Sequence, residues 1–398
     1  MPEVEIPTAI ISSPVGVLMV LSAICGFFFW LEKKTRWSLF NSFPPLLFIY
    51  MIPLILSNVG VIPNKSPVYD FMSAVVLPLF LVMLMLDVDV GGAIRVMGKG
   101  IFVMLFGTLG VVIGAPIGYG IVAGTLPPEA WTGFGALAGS WIGGTANMAA
   151  VAESVHTPPS MFGLAALADN IVYIIWLPIM LNSKKLAGWF NRFTNVPEDR
   201  LRLMEQAAKE ITQDKGKVEM RHYLYLLAIG FTVAFIAGEL SVYFPVVKPV
   251  LTGNTWKILL ITSLALVASF TPAKKIPGSH NLAMALVYLF VANIGAKAEV
   301  GRMLGQAPWF IVGAYIWVFI HGGFCLLGAK IFRVDVHTVA ISSAANIGGA
   351  ASAPIVAAYH KASLVPVSIL MALIGYGIGT YAALLAAFLC SQVSIIVH

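Results

Sequence analysis

The chain alternates between long apolar runs and short polar connections from one end to the other. The runs lie at roughly 6–31, 39–62, 71–90, 99–124, 131–153, 161–181, 222–244, 250–271, 279–296, 307–330, 336–359 and 364–390. Many of them reach the roughly 20 residues that a helix needs to cross a bilayer. Runs such as 101–122 and 364–389 lack the polar stripe of a soluble amphipathic helix. The pattern therefore predicts an all-α polytopic membrane protein.

Composition supports this class and excludes others. Hydrophobic residues make up 59% of the chain and charged residues 11%, whereas a soluble domain carries about 25% charged residues. The net charge is +6, but the basic residues lie between the apolar runs and form no compact patch. They are typical of topology signals and not of a nucleic-acid interface. The expected surroundings are the lipid bilayer and a small-molecule solute, with no nucleic-acid partner.

The distribution of Lys and Arg predicts ten crossings, and not twelve. If 131–153 and 336–359 each enter the membrane and return to the same side, most basic residues fall on one side. That side would carry Lys33, Lys34, Arg36, Arg95, Lys99, the basic residues of 182–221, Lys274, Lys275, Lys330, Arg333 and Lys361. The linker 182–221 is then cytoplasmic, with a short amphipathic helix from Asp199 onward, and the N-terminus lies outside a cell inner membrane.

The two segments predicted to re-enter resemble each other. Ile142–Val151 and Ile347–Val356 are identical at five of ten positions, and both begin with Ile-Gly-Gly. In each half of the chain, four apolar runs precede this segment and one follows it. With five crossings per half, the halves 1–181 and 222–398 must face opposite ways. Inverted repeats with paired interrupted segments are typical of secondary transporters.

Candidate binding groups cluster around the two Gly-Gly pairs. Backbone that leaves a helix at membrane depth must line a cavity or bind a ligand, because lipid cannot satisfy its N–H and C=O groups. An ionisable residue within a run, such as Asp169, is also a functional candidate. The predicted substrate- or ion-binding residues are Gly143, Gly144, Thr145, Asn147, Asp169, Asn170, Asn346, Gly348, Gly349 and Ser352. Asp169, Asn147 and Asn346 are the candidate ligands of a sodium ion, and no other cofactor is predicted.

Structural alternatives to these assignments remain open. Gly pairs in membrane helices often serve only for close packing, and Asp169 could make a purely structural hydrogen bond. The sequence also lacks a Walker A motif and the His-Glu-x-x-His motif of zinc proteases. No nucleophile–base pair is apparent, so the protein is not expected to be an enzyme or an ATP-driven pump.

The segments Gly139–Ser154 and Ser343–Pro354 resemble the YjcL-like bacterial membrane proteins, which are catalogued as a domain of unknown function. The likeness covers almost the whole chain, from about residue 15 to the end. More distantly, the twin Gly-Gly segments resemble sodium-coupled glutamate and 2-hydroxycarboxylate transporters, bile-acid transporters and cation/proton antiporters.

This distant resemblance implies a homodimeric elevator-type transporter. Its scaffold would comprise 6–62 and 222–271, and its transport domain would comprise 71–181 and 279–390. Gly143, Gly144, Gly348 and Gly349 would form the crossing tips. The acidic pair expected of a sodium/proton antiporter is not matched, since only Asp169 lies at such a depth.

The leading functional hypothesis is a symporter that couples uptake of a small polar or anionic organic solute to sodium or protons. Helix N-termini at the Gly-Gly breaks would favour an anion, such as an organic acid, an amino acid or a short peptide-like fragment. One alternative is a sodium/proton-type antiporter. Another is a non-transporting membrane scaffold or lipid-handling protein.

Overall fold

The computed structural model describes residues 9–37, 40, 44–197, 200, 206, 216–299 and 305–398. Within these residues the secondary structure is helical, with no β-strand, which confirms the predicted all-α class. The amphipathic helix predicted from Asp199 onward lies mainly outside the described residues.

The helices of the described part are named here in chain order. They are α1 (Pro14–Thr35), α2 (Pro45–Asn58), α3 (Pro67–Leu86), α4 (Val90–Met97), α5 (Gly100–Val122), α6 (Ala130–Ser154), α7 (Pro159–Asn182), α8 (Ala187–Thr194), α9 (Met220–Ser241), α10 (Gly253–Ala268), α11 (Ser279–Ala296), α12 (Ala307–Phe332), α13 (Val336–Ile347), α14 (Gly349–His360) and α15 (Val365–Val397). Within this part, 8 helical stretches are long and apolar enough to cross a membrane. Helices α2 and α10 are apolar but shorter, so the figure of ten crossings stays a prediction.

The helices pack in two groups. The first, called the outer group here, contains α1, α2, α3, α9, α10 and α11, which contact one another extensively. The second, called the hairpin group, contains α5, α6, α7, α12, α13, α14 and α15. Contacts between the groups are sparser and involve mainly α6 and α15 on one side and α3, α10 and α11 on the other.

Helices α5 and α12 form the centre of the hairpin group and run antiparallel. Near the start of α5, the Phe102 ring stacks on Phe332 at the end of α12, with centroids 4.9 Å apart. Near the end of α5, a Cβ added to Gly118 would lie 2.5 Å from the carbonyl oxygen of Gly313. Such small residues let two membrane helices approach closely.

Helix α6 is a hairpin whose two arms fold back on each other. The break is at Gly143 (φ −134°, ψ 17°) and Gly144 (φ 72°, ψ −176°). A Cβ added to Gly139 would lie 2.7 Å from the carbonyl oxygen of Asn147, although these residues would be about 12 Å apart along a straight helix. At the base, the Thr157 hydroxyl donates to the Thr132 carbonyl at 3.3 Å.

Helices α13 and α14 form a second hairpin, which turns at Gly348 and Gly349. The imidazole Nδ1 atoms of His337 and His360, at the outer ends of the two arms, are 3.0 Å apart. A straight helix would separate these residues by about 35 Å. Both segments are therefore helical hairpins and not broken helices that continue in one direction.

The two hairpins enter the bundle from opposite ends and meet at their tips. Hairpin 1 (α6) follows the end of α5, and hairpin 2 (α13 and α14) follows the end of α12. Because α5 and α12 are antiparallel, the hairpin bases lie at opposite ends of that pair. At the tips, a Cβ added to Gly349 would lie 3.8 Å from the Cα of Gly144.

Candidate solute site between the hairpin tips

A cavity of about 520 Å³ lies where the two tips meet. Gly144, Thr145, Gly348 and Gly349 contribute its hairpin wall. The opposite wall comes from α1, α3 and α11, so the cavity lies between the hairpin group and the outer group. Four of the residues predicted from the sequence thus share one cavity.

A second cavity, of about 660 Å³, adjoins the first. The cavity at the tips is called the inner cavity here, and the second is called the outer cavity. His280, Asn281 and Ala350 line both, so together they form a path from the tips toward the start of α11. Asp87 and Asp89 line the outer part of this path. The Ser279 hydroxyl donates to Asp87 at 2.5 Å.

Asn147 lies beside the tip of hairpin 1 but is almost fully buried and does not line the cavity. Its Nδ2 donates to the carbonyl oxygens of Gly143 at 2.7 Å and Tyr376 at 3.2 Å. Its Oδ1 accepts a 2.5 Å hydrogen bond from the Thr380 hydroxyl. The amide therefore holds the tip against α15.

Asn346 is buried at the end of the first arm of hairpin 2. In the amide orientation that satisfies both of its polar atoms, nitrogen donates to the carbonyls of Met104 and Ser342, each at 3.1 Å. Its oxygen accepts from the Thr108 hydroxyl at 3.0 Å. Asn346 thus anchors hairpin 2 to α5, as Asn147 anchors hairpin 1 to α15.

Asp169 lies on α7 and accepts two hydrogen bonds from the first arm of hairpin 1. The Ser140 hydroxyl donates to one carboxylate oxygen at 2.8 Å, and the Trp141 indole N–H donates to the other at 2.9 Å. The adjacent Asn170 donates to the Ala166 carbonyl of its own helix at 2.7 Å. Asp169 is therefore connected to a hairpin tip, whereas the described contact of Asn170 is local.

Helix α7 also reaches hairpin 2. A Cβ added to Gly348 would lie 3.0 Å from the Tyr173 ring and 2.7 Å from the Ser352 hydroxyl. Tyr173 is one turn after Asp169, so a single face of α7 lies beside both tips. Asp169, Asn147 and Asn346 bond to three different sets of partners, and a sodium ion shared by all three stays a prediction.

Sequence reasoning missed the residues that complete the cavity wall. Phe29, Leu84, Tyr288 and Tyr376 line it but do not flank a Gly-Gly pair. One signal was available on α11, where Asn281, Met284, Ala285 and Tyr288 recur at helical spacing and line the same cavity. Tyr376 lies in the Gly-Tyr-Gly segment of α15, and its ring lies 3.2 Å from a Cβ added to Gly144.

A buried chain of hydrogen bonds joins hairpin 2 to α5, α7 and α12. The Trp176 N–H and His321 Nε2 each lie 3.0 Å from the Ser343 hydroxyl, and His321 Nδ1 lies 2.9 Å from the Gly107 carbonyl. Because a carbonyl cannot donate, Nδ1 of His321 must carry the proton. These hydrogen bonds hold the first arm of hairpin 2 in place.

The base of hairpin 2 contains a pair of histidines. His360 Nε2 lies 3.0 Å from the Met180 carbonyl and must donate to it, so in the neutral ring Nδ1 accepts from His337. Burial lowers the pKa of His360 from its ordinary 6.5, and the neighbouring His337 and Lys184 act in the same direction. The Met180 carbonyl and Asp335 oppose this lowering.

Acidification is expected to destabilise the protein through His360. A base whose pKa is lowered by folding contributes stability above its unfolded pKa and loses it as pH falls toward the folded pKa. The melting temperature should therefore fall between about pH 7.5 and about pH 5, and it should fall less in His360→Gln. The exposed C-terminal His398 provides the matched control, since His398→Gln should keep the full pH dependence. If the melting temperature of His360→Gln fell with pH as steeply as that of the unmodified protein, His360 would not be the source of the acid sensitivity.

Comparison with known proteins relates the chain to a family of unknown function and to a membrane protein. Residues 18–393 match a family profile described as "Protein of unknown function (DUF819)". The chain is also 26% identical over 361 residues to the "Uncharacterized membrane protein YjcL" of Bacillus subtilis, with 88% of this chain and 90% of that protein covered. The resemblance to the YjcL-like proteins is thereby confirmed.

Proposed function

The chain belongs to the DUF819 family, and we propose that it is a secondary active transporter of a small polar organic solute. Transport is driven by a sodium or proton gradient across the membrane. The solute binds in the cavity between the hairpin tips and is carried as one group of helices moves against the other.

The meeting of the two hairpin tips in one cavity carries this proposal. Interrupted helices at membrane depth occur where backbone is buried in protein or lines an aqueous path, and paired interruptions mark the binding site in many secondary transporters. A cavity of about 520 Å³ lies within the range of roughly 300–1,000 Å³ typical of sites for organic molecules. That volume favours an organic solute over the bare cation of a sodium/proton-type antiporter.

The two-group packing supports an elevator mechanism in which the hairpin group moves and the outer group stays fixed. In this proposal α3 and α11 belong to the scaffold, and not to the transport domain as the distant resemblance implies, because they pack with α2, α9 and α10. The transport domain then begins at α5 in the first half and at α12 in the second. The entry of the hairpins from opposite ends is the arrangement expected of an inverted repeat.

The path leading from the cavity supports an inward-facing state. Its outer part is lined by Asp87 and Asp89, and by Gly216 and Val218, which lie near the end of the linker 182–221 that is predicted to be cytoplasmic. In this proposal the outer part of the path opens on the cytoplasmic side of a cell inner membrane, and the N-terminus lies on the other side. The apolar exposed faces of α1 and α9 suit lipid or a second copy in a homodimer.

Uptake by reconstituted protein tests the proposal. Purified chain in proteoliposomes should accumulate at least one labelled organic solute from a broad panel when a sodium or proton gradient is imposed. Accumulation should collapse when ionophores dissipate that gradient. Gradient-independent background with every solute, from protein that remains folded, would contradict secondary transport. Gradient-driven exchange of sodium for protons without solute flux would instead support the antiporter alternative.

A further inference from the structure

The walls of the candidate site contain aromatic rings but no lysine or arginine among the described lining residues. Three aromatic rings, Phe29, Tyr288 and Tyr376, line the inner cavity. Phe29 and Tyr288 are in edge-to-face contact, with centroids 4.6 Å apart. Among the described residues that line either cavity there is no lysine or arginine. Among these lining residues, a carboxylate or phosphate group would therefore find no lysine or arginine to pair with.

The carboxylates around the two cavities favour a positively charged solute. Asp87 and Asp89 line the outer cavity. Lys274 Nζ lies 3.5 Å from a carboxylate oxygen of Asp89, and His280 Nδ1 lies 3.7 Å from a carboxylate oxygen of Asp87.

The helix ends at the hairpin tips do not change this preference for a cation over an anion. A lone helix N-terminus presents partial positive charge and favours an anion. Each hairpin tip, however, joins the C-terminus of one arm to the N-terminus of the next, at Gly143 and Gly144 in hairpin 1 and at Gly348 and Gly349 in hairpin 2. The two partial charges at each tip largely cancel, which removes the sequence-based reason to expect an anionic solute.

We propose that the transported solute is an organic cation with an apolar or aromatic body, whose positive charge lies against the rings of Phe29, Tyr288 and Tyr376. Aromatic faces attract cations through the ring quadrupole, and the attraction strengthens where water is excluded. Carboxylates along the path raise the local concentration of a cation and lower that of an anion. This inference rests on the proposed transport function for its biological meaning, but binding alone can test it.

The test compares three probes that share a benzyl group: benzyltrimethylammonium, benzyl alcohol and benzylsulfonate. Their binding to detergent-purified protein is measured by titration calorimetry. Benzyltrimethylammonium should bind at least about tenfold more tightly than the other two. Equal or tighter binding of benzylsulfonate or benzyl alcohol would overturn the inference. So would the absence of benzyltrimethylammonium binding up to about 10 mM.

Variants of the cavity tyrosines locate the binding. Tyr288→Leu and Tyr376→Leu should each weaken benzyltrimethylammonium binding about threefold to thirtyfold. Tyr288→Phe keeps the ring and should bind within about twofold of the unmodified protein, which separates ring loss from a general packing defect. Unchanged affinity in both leucine variants, with monodisperse protein, would overturn the proposed site.

Failure of this inference and failure of transport give different results. If no solute is transported but the cation preference and the tyrosine effects hold, only the transport function is lost. If an anionic solute is accumulated under a gradient and the cation does not bind, only the organic-cation inference is lost.

Discussion

Replacing Gly144 with alanine is expected to reduce solute transport at least about tenfold while the protein remains folded in the membrane. Gly144 has φ 72° and ψ −176°, a region essentially confined to glycine, where another residue costs on the order of 1–3 kcal/mol. Alanine would relieve this strain by moving Thr145 and the second arm of hairpin 1 away from hairpin 2. Because the tips form the cavity wall, a small shift there changes the site directly.

Gly124→Ala is the matched control for this variant. A Cβ at Gly124 meets no atom within 4 Å, and its φ is not positive. Uptake of the same solute in proteoliposomes, normalised to inserted protein, should therefore be unchanged in Gly124→Ala. Full activity of Gly144→Ala would show that the strained tip is not required.

Asp169→Asn is expected to lower gradient-driven uptake at least about tenfold with little loss of stability. The Trp141 N–H can only donate, so it should keep its bond to the asparagine oxygen, and the Ser140 hydroxyl can rotate to accept from the new amide. The hydrogen-bonded geometry thus survives while the charge disappears. A carboxylate within the apolar part of a transporter is the natural carrier of coupling charge.

Two readouts separate coupling from binding in this variant. Equilibrium exchange of labelled for unlabelled solute, which needs no gradient, should persist in Asp169→Asn while accumulation fails. Asp70→Asn, the same change at an exposed carboxylate in α3, should leave both activities intact. Normal accumulation by Asp169→Asn would contradict a coupling role for Asp169.

The position of the hairpin turns was predictable from sequence because each turn needs its own local signal. Gly143-Gly144 and Gly348-Gly349 interrupt otherwise helical runs, and the structure turns at both pairs. Counting basic residues also predicted that these segments return to the side they entered from, and the hairpins have that form. The Gly-Gly signal lies at each turn itself, whereas the count of basic residues depends on the loops of the whole chain.

The roles of two asparagines and two tyrosines depend on partners that are distant in the chain, so the sequence alone did not predict them. Asn147 and Asn346 flank the breaks as predicted, but carbonyls and hydroxyls supplied partly by α5 and α15 occupy their amides. Tyr288 and Tyr376 appear in the sequence as ordinary residues of continuous apolar runs. Only the packing of α11 and α15 around the tips brings them to the cavity.

Thiol labelling at the hairpin tips tests most directly whether the tips line a water-filled cavity open toward the linker. The native Cys25, Cys325 and Cys390 are buried, so background labelling should be low. A membrane-impermeant maleimide applied to inside-out vesicles should modify Thr145→Cys and Ala350→Cys, at residues that line the inner cavity. The fully buried Ala149→Cys and Ala353→Cys, on the same arms, should stay unmodified. If both tip cysteines resist the reagent from either side, or react no faster than the buried pair, the tips are packed dry and do not form a solute site.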